Sequence, residues 1–152
     1  MSDEGWIPDE EWETIVRHVP IPSVDLVVLH DDGVVLGKRT NEPAKGEWFV
    51  PGGRIHKGER LEDAVHRIAT EELGIEVEIV ERLGAYEHIY DTAEVDSDSG
   101  KHYVPVGFTV ESLTEEIRED EQHSSVRVFE ELPEELHTYT AQYLWDSERV
   151  DY

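Results

Sequence analysis

The sequence predicts an α/β domain in which a mixed sheet lies between helices. Two patterns support this fold class: apolar residues at helical spacing within residues 61–73, and apolar segments joined by strong turn signals. The length of 152 residues suits one domain rather than two. We therefore expect residues 1–19 to form an N-terminal helical extension and residues 20–152 to form a single domain.

Residues 8–18 predict a short helix with the apolar side chains of Trp12, Ile15 and Val16 on one side. The helix should end at the following segment VPIP, because proline lacks the backbone N–H of a helix and holds its neighbours in extended geometry. We expect the apolar side to pack on the domain or on a second subunit.

Residues 23–39 predict two strands joined at Asp31-Asp32-Gly33, because Asp-Gly is a strong hairpin signal. Asp25 stands among apolar residues in the first strand. A carboxylate in that place is either a partner for an arginine or an exposed residue of an edge strand, and the pattern leaves both open.

The next segment, residues 48–50, predicts a short buried stretch that leads into the paired glycines Gly52 and Gly53. Glycine has no side chain, so two in succession let the backbone approach a ligand or an ion closely. We therefore expect part of the binding site at these glycines.

Residues 61–73 predict an amphipathic helix that ends at Gly74. Its apolar residues follow the spacing of one buried face: Leu61, Ala64, Val65 and Ile68. The next position of this stripe is Glu72, and a buried carboxylate is costly unless it is paired or bound to a metal. Glu72, with Glu71 beside it, is therefore a candidate cation ligand.

Residues 76–90 predict one or two strands, and residues 91–101 predict an acidic, turn-rich loop that we expect to be mobile. Residues 102–111 predict a further strand. Pro105 indicates that this strand lies at an edge or contains a bulge, because proline cannot donate a hydrogen bond to a neighbouring strand.

The C-terminal part predicts a short strand over residues 124–129 and a final helix over residues 133–145. The apolar residues of this helix fall near one face: Leu136, Tyr139, Tyr143 and Leu144. The order of strands and helices gives the α/β reading stated above.

The composition limits the classes of partner and compartment. The formal net charge of −24 disfavours binding to nucleic acid or to an anionic membrane. A salt-rich cytoplasm, as in a halophile, accounts for this charge because the Debye length is about 3 Å at 1 M salt; an ordinary acidic protein, or one with a basic partner, is the alternative. No apolar run is long enough to span a membrane, and the acidic start does not resemble a signal peptide, so we expect a cytoplasmic protein.

The basic residues are concentrated around the paired glycines. Seven of the thirteen lie between positions 38 and 67: Lys38, Arg39, Lys45, Arg54, Lys57, Arg60 and Arg67. A positive cluster in an acidic chain indicates an anionic ligand, and phosphate suits the arginine fork. The alternative is that these side chains are solvated and pair with nearby acids.

Residues 53–75 resemble the signature of the Nudix hydrolases. The matching residues are Gly53, Glu59, Arg67, Glu71, Glu72, Gly74 and Ile75, at the family's spacing. The resemblance implies an α/β/α sandwich with a mixed sheet between helices, a divalent cation, and a substrate in which a nucleoside diphosphate is linked to another group. The common pattern has a further glutamate directly after the arginine, and here that position is Ile68.

The isoleucine at this position bears on the chemistry. In the common form several helix carboxylates gather cations and activate a water that attacks phosphorus. With Ile68 the site has one carboxylate fewer and no obvious base on the helix. The chain is then either a binding protein without catalysis or an enzyme whose base comes from another segment.

Four further segments resemble the GDP-mannose mannosyl hydrolase branch of the family, which also lacks this glutamate. In chain order they are LGKRTNEPAKGEWFVPGGRI, YEHIYD, KHYVPVGF and DEQH. The resemblance implies that water attacks the anomeric carbon of GDP-mannose, or of a related GDP-hexose, with inversion, and that GDP and the free sugar are released. It also implies a homodimer.

By the same resemblance, one Mg²⁺, with Mn²⁺ as an alternative, is held by the backbone carbonyl of Gly52, the carboxylate of Glu72, the side chain of Gln122 and the substrate diphosphate. These are oxygen ligands, which suit Mg²⁺. His123 is implied as the general base, and the ordinary pKa of histidine, about 6.5, suits proton removal near neutrality. The alternative for His123 is a surface histidine in a polar stretch.

The resemblance also implies the substrate contacts. Arg39 and Arg54 contact the diphosphate, Arg67 supports the site from the helix, and Tyr103 binds the leaving diphosphate. His88 and Asp25 stand at matching positions and are implied as substrate-binding residues. The sequence gives no such context to the other histidines His56, His66 and His137, which we expect to be solvated.

Two other functions remain open. One is an ordinary Nudix pyrophosphohydrolase that cleaves a nucleoside diphosphate derivative at phosphorus. The other is a catalytically silent protein that binds a nucleotide sugar.

Overall fold

The computed structural model describes residues 6–40, 43–98, 100–117 and 126–152, and these residues form an eight-stranded mixed sheet with three α-helices. The helices are α1 (Asp9–His18), α2 (Leu61–Ile68) and α3 (Thr138–Asp146). The strands are β1 (Ile21–His30), β2 (Gly33–Lys38), β3 (Trp48–Phe49), β4 (Gly52–Arg54), β5 (Val77–Ala85), β6 (His88–Tyr90), β7 (Lys101–Ser112) and β8 (Val126–Phe129). The predicted α/β class with a mixed sheet between helices is confirmed.

Strand β1 lies in the interior of the sheet. It pairs in parallel with β7 and antiparallel with both β2 and β4. The predicted hairpin is present, since His30 pairs with Gly33 across the turn. Asp25 therefore does not lie on an edge strand, and that alternative for it is wrong.

The two faces of β1 belong to two separate cores. Val24, Leu26 and Val28 pack in one cluster with the buried side chains of α2. Val27 packs on the other face with Tyr143 and Leu144 of α3. Because alternate residues of a strand point to opposite faces, Asp25 lies on the same face as Val27 and is directed toward α3.

The N-terminal helix α1 packs on the domain. Val16 is buried, and Trp12 contacts residues of β4, β7 and the loop before β7. This is the first of the two arrangements expected for its apolar side. No helix within the described residues is long and apolar enough to cross a membrane.

The end of α2 differs from the prediction. The α-helix stops at Ile68, and Ala69–Leu73 continues as a π turn, which holds more residues per turn than an α-helix. As a result Leu73, not Glu72, falls on the buried side, and Glu72 is exposed. The prediction that Glu72 continues the buried stripe is wrong, whereas Gly74 ends the turn with a φ of 66°, as its position indicated.

Pro105 lies within the sheet rather than at its edge, because β7 runs between β1 and the pair β5 and β6. The prediction that this strand lies at an edge is therefore wrong, and the neighbouring strands show how the proline is accommodated. Strand β5 ends at Ala85 and β6 begins at His88, so the missing N–H of Pro105 faces the interruption between them, where its carbonyl accepts a hydrogen bond from the backbone of Tyr86.

The final helix is shorter than predicted. It begins at Thr138, not near Pro133, and the His137 Nδ1 accepts a hydrogen bond from the backbone N–H of Tyr139. This bond satisfies one of the free N–H groups at the helix start. His137 is thus a capping residue, and the expectation that it is only solvated is wrong.

Candidate active site

Strands β1, β4, β6 and β7 line a pocket of about 90 Å³. Six of the residues implicated by the sequence lie around it: Asp25, Arg39, Gly52, Arg54, His88 and Tyr103. They come from positions 25 to 103 of the chain and meet because β1 pairs with both β4 and β7, and β6 pairs with β7. The topology of the sheet therefore brings most of the predicted substrate contacts into one place.

Asp25 lies between two glycines of the neighbouring strands. It is opposite Gly52 of β4 on one side and Gly107 of β7 on the other. A Cβ atom at Gly52 would overlap Asp25 Oδ1, so the absence of a side chain there makes room for the carboxylate. The other oxygen, Oδ2, accepts a hydrogen bond of 2.7 Å from the hydroxyl of Tyr143.

The ionisation of Asp25 reflects its surroundings. Burial raises the pKa of its carboxyl to about 6, and this rise is opposed by the hydrogen bond from Tyr143 and by the positive charge of Arg39. Tyr143 and Arg39 thus favour the carboxylate form of a group that burial would otherwise keep protonated.

His88 is buried beside the same carboxylate oxygen that Tyr143 bonds. Its Nδ1 lies 3.8 Å from Asp25 Oδ2, and its ring is stacked on that of Tyr139 with centroids 4.1 Å apart. Its Nε2 is buried and has no hydrogen-bond partner among the described residues. Burial lowers the pKa of His88 to about 4, so the imidazole is neutral near pH 7 and can donate or accept a bond to a ligand.

Two arginines provide the positive side of the pocket. Arg39 donates from Nε to the carbonyl of Pro43 at 2.7 Å, and its guanidinium lies 5.8 Å from the ring centre of Phe49. Arg54 lies 5.6 Å from the ring centre of Trp12. Both side chains line the pocket, which suits a phosphate group.

Arg67 does not line the pocket, but it contacts Arg54, which does. It bonds Glu59 from Nε at 2.7 Å and Glu71 from Nη1 at 3.1 Å, and its Nη2 donates to the backbone carbonyl of Arg54 at 2.9 Å. The hydrogen bond from Arg67 lowers the pKa of Glu59, which stays ionised. The helix is thereby tied to the strand that carries Arg54.

Only some of the residues that the resemblance implies as metal ligands are among the described residues. Gly52 lines the pocket and Glu72 is an exposed carboxylate at the end of the π turn, whereas Gln122 and His123 lie outside the described residues. Within those residues no group of three or more His, Asp or Glu side chains could hold a metal ion. A backbone carbonyl and a carboxylate are the oxygen donors that suit a hard cation such as Mg²⁺.

Sequence reasoning missed a cluster beside Tyr103. The Nζ of Lys101, a buried residue, lies 2.6 Å from Glu94 Oε1, 4.9 Å from the ring centre of Tyr103 and 5.2 Å from that of Trp12. Trp12 Nε1 also donates to Glu94 at 3.0 Å. Strand periodicity carried part of this signal, because Lys101 and Tyr103 are two residues apart and share a face of β7.

The sequence placed two tyrosines of α3 near one face of the final helix and gave them no role in the site. Tyr143 bonds Asp25, and Tyr139 stacks on His88 while its hydroxyl bonds the backbone N–H and carbonyl of Ile89. Their spacing of four residues places them on one helical face. No pattern in the sequence pairs that face with Asp25, which is 118 positions away.

Residues 19–147 match the NUDIX domain family. The low-salt glycan biosynthesis protein Agl8 of Haloferax volcanii is 53% identical over 138 residues, which cover 91% of this chain and 88% of that protein. The ADP-ribose pyrophosphatase of Methanocaldococcus jannaschii is 29% identical over 111 residues, which cover 73% of this chain and 62% of that protein.

Solved structures agree at the level of the fold. A MutT NUDIX hydrolase from Burkholderia pseudomallei superposes with a TM-score of 0.70 at 29% identity, covering 84% of this chain and 97% of the other. A NUDIX hydrolase from Nitrosomonas europaea superposes with a TM-score of 0.65 at 24% identity, covering 86% and 72%.

Proposed function

The chain belongs to the Nudix hydrolase family, and from this premise we propose that it hydrolyses GDP-mannose, or a related GDP-hexose, to GDP and the free sugar. One observation carries the proposal: the pocket joins two arginines to a buried carboxylate and a neutral imidazole. A nucleotide sugar has two parts that match these groups: an anionic diphosphate for the arginines, and a sugar, bonded directly to it, whose neutral hydroxyls suit the carboxylate and the imidazole. The name of the Haloferax relative, a glycan biosynthesis protein, supports a substrate of this class.

The residues of the pocket then have distinct roles. Arg39 and Arg54 bind the diphosphate and stabilise the negative charge that develops on the departing GDP. Asp25, through Oδ1, and His88, through Nε2, bind sugar hydroxyls. Tyr103 donates a hydrogen bond to the diphosphate as it leaves.

The bond broken is between the anomeric carbon and the diphosphate oxygen. His123 takes a proton from a water whose oxygen attacks the carbon from the side opposite the leaving group, so the configuration inverts. GDP departs with the bonding electron pair, and no acid needs to protonate it. When Mg²⁺ is bound by the Gly52 carbonyl, Glu72 and Gln122, it supplies charge neutralisation at the diphosphate.

Ile68 supports attack at carbon rather than at phosphorus. It is the last residue of α2 and is 1% exposed, and its side chain lies 3.4 Å from where a Cβ of Gly53 would stand. An apolar residue in this place supplies no base at position 68 for a water directed at phosphorus.

A second candidate function is cleavage at phosphorus, as in an ordinary Nudix pyrophosphohydrolase. The observation that favours it is the similarity to the ADP-ribose pyrophosphatase of Methanocaldococcus jannaschii. A third is a catalytically silent protein that binds a nucleotide sugar, for which the absence of the usual glutamate at position 68 is the support.

One experiment separates these functions. The protein is incubated with GDP-mannose and Mg²⁺ in ¹⁸O-water, and the products are analysed by mass spectrometry. Label in free mannose is the expected result. Label in a phosphate product supports cleavage at phosphorus, and binding without turnover supports the silent protein; either outcome overturns the proposal.

The general base is tested by replacing His123 with leucine. We expect turnover of GDP-mannose to fall by about 10²- to 10⁴-fold near neutral pH, the usual contribution of a general base, while binding of GDP-mannose is retained. His66→Leu is the matched control, because His66 is an exposed histidine on α2 and should leave turnover unchanged. Turnover of His123→Leu close to that of the wild type would remove His123 from this role.

We infer in addition that the working assembly is a homodimer, as the resemblance implies. Light scattering at several protein concentrations measures this directly.

A further inference from the structure

We propose that Tyr143 of the C-terminal helix is a positioning residue that holds the Asp25 carboxylate in the orientation in which it receives the sugar. The inference rests on the proposed function for the identity of the ligand, but its geometry is independent of it. The hydroxyl of Tyr143 donates to Asp25 Oδ2 at 2.7 Å, and Asp25 lines the pocket.

The hydrogen bond selects one oxygen of the carboxylate. An aspartate side chain can exchange its two oxygens by rotation about its last bond, because that torsion is broad. Here Oδ2 is occupied by the Tyr143 hydroxyl, and Oδ1 faces Gly52. The carboxylate therefore presents Oδ1 as the acceptor for a ligand at the glycine side of the pocket.

A glycine in the sheet leaves space for the ring of Tyr143. Gly107 of β7 pairs with Asp25, and a Cβ atom at Gly107 would stand only 2.8 Å from Cε1 of Tyr143. Any larger residue at this position would displace the ring from Asp25. The two glycines next to Asp25 thus have different uses, since Gly52 makes room for the carboxylate and Gly107 for the ring that holds it.

The ring of Tyr143 is itself fixed. Its exposure is 0%, and it packs against Tyr86 with ring centroids 4.5 Å apart. Helix α3 is also anchored to β3, since Thr140 Oγ1 donates to the carbonyl of Trp48 at 3.0 Å. A side chain held on all sides loses little further conformational entropy when it orients its partner.

Tyr86 provides a matched control within the same aromatic cluster. Its hydroxyl also donates to a carboxylate, Asp146 Oδ2, at 2.6 Å, but it does not line the pocket. Tyr143→Phe and Tyr86→Phe therefore each remove one tyrosine–carboxylate hydrogen bond and keep the ring. They differ in whether the carboxylate faces the pocket.

The test measures kcat and KM with GDP-mannose, the Kd of GDP, and the melting temperature. The proteins compared are the wild type, Tyr143→Phe, Tyr86→Phe, Asp25→Ala and the double variant Tyr143→Phe/Asp25→Ala. We expect Tyr143→Phe to lower kcat/KM by about tenfold, the loss expected for one hydrogen bond to a charged group, with the Kd of GDP unchanged within about twofold. Tyr86→Phe should change kcat/KM by less than about twofold. In the Asp25→Ala background, where the acceptor is absent, removal of the Tyr143 hydroxyl should cause no further loss, because the two residues act through one interaction.

Three outcomes overturn the inference. Tyr143→Phe could lower the melting temperature and leave kcat/KM unchanged, which is the signature of a purely structural residue. It could lower kcat/KM equally in the presence and absence of the Asp25 carboxylate, which shows that it acts by another route. It could weaken GDP to the same extent as GDP-mannose, which places its effect on the diphosphate and not on the sugar.

A crystal structure of Tyr143→Phe separates this inference from the proposed function. If the wild type does not hydrolyse GDP-mannose, the proposed function fails, but the structure still tests the positioning role. We expect the Asp25 carboxylate to rotate or to occupy two orientations when the hydroxyl is absent. A carboxylate in the same single orientation would contradict the role of Tyr143.

Discussion

His88 combines burial with an unsatisfied nitrogen. A buried nitrogen without a hydrogen-bond partner among the described residues is uncommon in folded proteins and costs free energy of folding. The cost is offset if a ligand supplies the partner. Because burial lowers the pKa of His88, that partner meets a neutral imidazole and not a cation.

The depressed pKa of His88 predicts how stability depends on pH. The unfolded chain has a histidine pKa of about 6.5 and the folded chain about 4, so between these values the unfolded state binds the proton and the folded state does not. Stability should therefore fall as the pH decreases through this window. Relative to His88→Phe, we expect the wild type to lose on the order of 1–3 kcal/mol of unfolding free energy between about pH 7 and pH 4, measured by urea unfolding.

The comparison with His88→Phe is needed because Asp25 titrates in the same window with the opposite sign. The folded-state pKa of Asp25 is raised from 3.8 to about 6, so its contribution favours the folded state as the pH falls. Equal pH dependence in the wild type and His88→Phe would show that His88 titrates normally.

Glu59 and Glu71 both bond Arg67. Glu72 is an exposed residue of the π turn that follows α2. An exposed carboxylate keeps its hydration, so its ionised form costs little free energy. The position of Glu72 therefore does not by itself require a metal. Its assignment as a ligand now depends on the family signature and not on burial.

We predict that Glu72→Gln weakens the response to Mg²⁺. The concentration of Mg²⁺ that gives half-maximal binding of GDP should rise by about tenfold or more, because a neutral amide replaces a charged oxygen ligand. Glu62→Gln, an exposed substitution on α2, is the control and should leave the titration unchanged. Identical metal titrations for Glu72→Gln and the wild type would eliminate Glu72 as a ligand.

At the scale of elements, the connection from α2 to β5 depends on a left-handed residue. Gly74 ends the π turn with a φ of 66°, a conformation that costs most residues with a side chain about 1–2 kcal/mol. Leu73 and Ile75 on either side of it are buried in the core beneath α2. The turn therefore fixes the position of the helix end that carries Glu72.

Gly74→Ala should lower the unfolding free energy by about 1 kcal/mol. Gly37→Ala is the matched control, because a Cβ atom there meets only Val126 Cγ2 at an ordinary distance of 3.9 Å and no positive φ is involved. Denaturant melts of the two variants give the comparison. A loss at Gly74 no larger than that at Gly37 would show that the turn readily takes a side chain.

The elements differ in how far the sequence determines them. The hairpin at Asp31–Gly33 and the buried face of α2 depend on neighbours within a few residues, and local patterns predicted them. The π turn adds one residue to a helical turn, which shifts Leu73 onto the buried side in place of Glu72 and leaves no local signature. The start of α3 was missed because the side chain of His137 is an unusual cap.

The same distinction applies to the site. The arginines, Gly52, His88 and Tyr103 were named from segments that resemble a family, and the sheet brings them together. Tyr143 could not be named, since its bond to Asp25 exists only after α3 packs on the face of β1 that carries the carboxylate. Contacts between distant segments depend on the assembled fold and have no local pattern.

At the scale of the whole molecule, the surface charge is the dominant property. A formal net charge of −24 on 152 residues gives strong repulsion between acids that are mostly exposed. The relative from Haloferax volcanii shares most of the length of the chain. Salt screens such repulsion, because the Debye length falls from about 10 Å at 0.1 M to about 3 Å at 1 M.

We therefore expect the melting temperature to rise by roughly 5 °C or more between about 0.1 M and 2 M KCl. A variant in which Glu130, Glu131, Glu134 and Glu135 are replaced by glutamine removes four exposed charges and should show a smaller rise. Equal stability of the wild type at low and molar salt would assign the acidic composition to another cause, such as a basic partner.

The helix α1 lies before residue 19, where the match to the family begins, yet its Trp12 contacts Arg54 and Lys101 beside the pocket. A fragment trimmed to the family boundary would lose this ring, its hydrogen bond to Glu94 and its contact with Lys101. A residue outside the matched segment therefore contacts Arg54, which lines the pocket. Substitutions in α1 are expected to shift Arg54 while every signature residue stays the same, which would give evolution and protein engineering a way to alter the pocket that a search by signature would overlook.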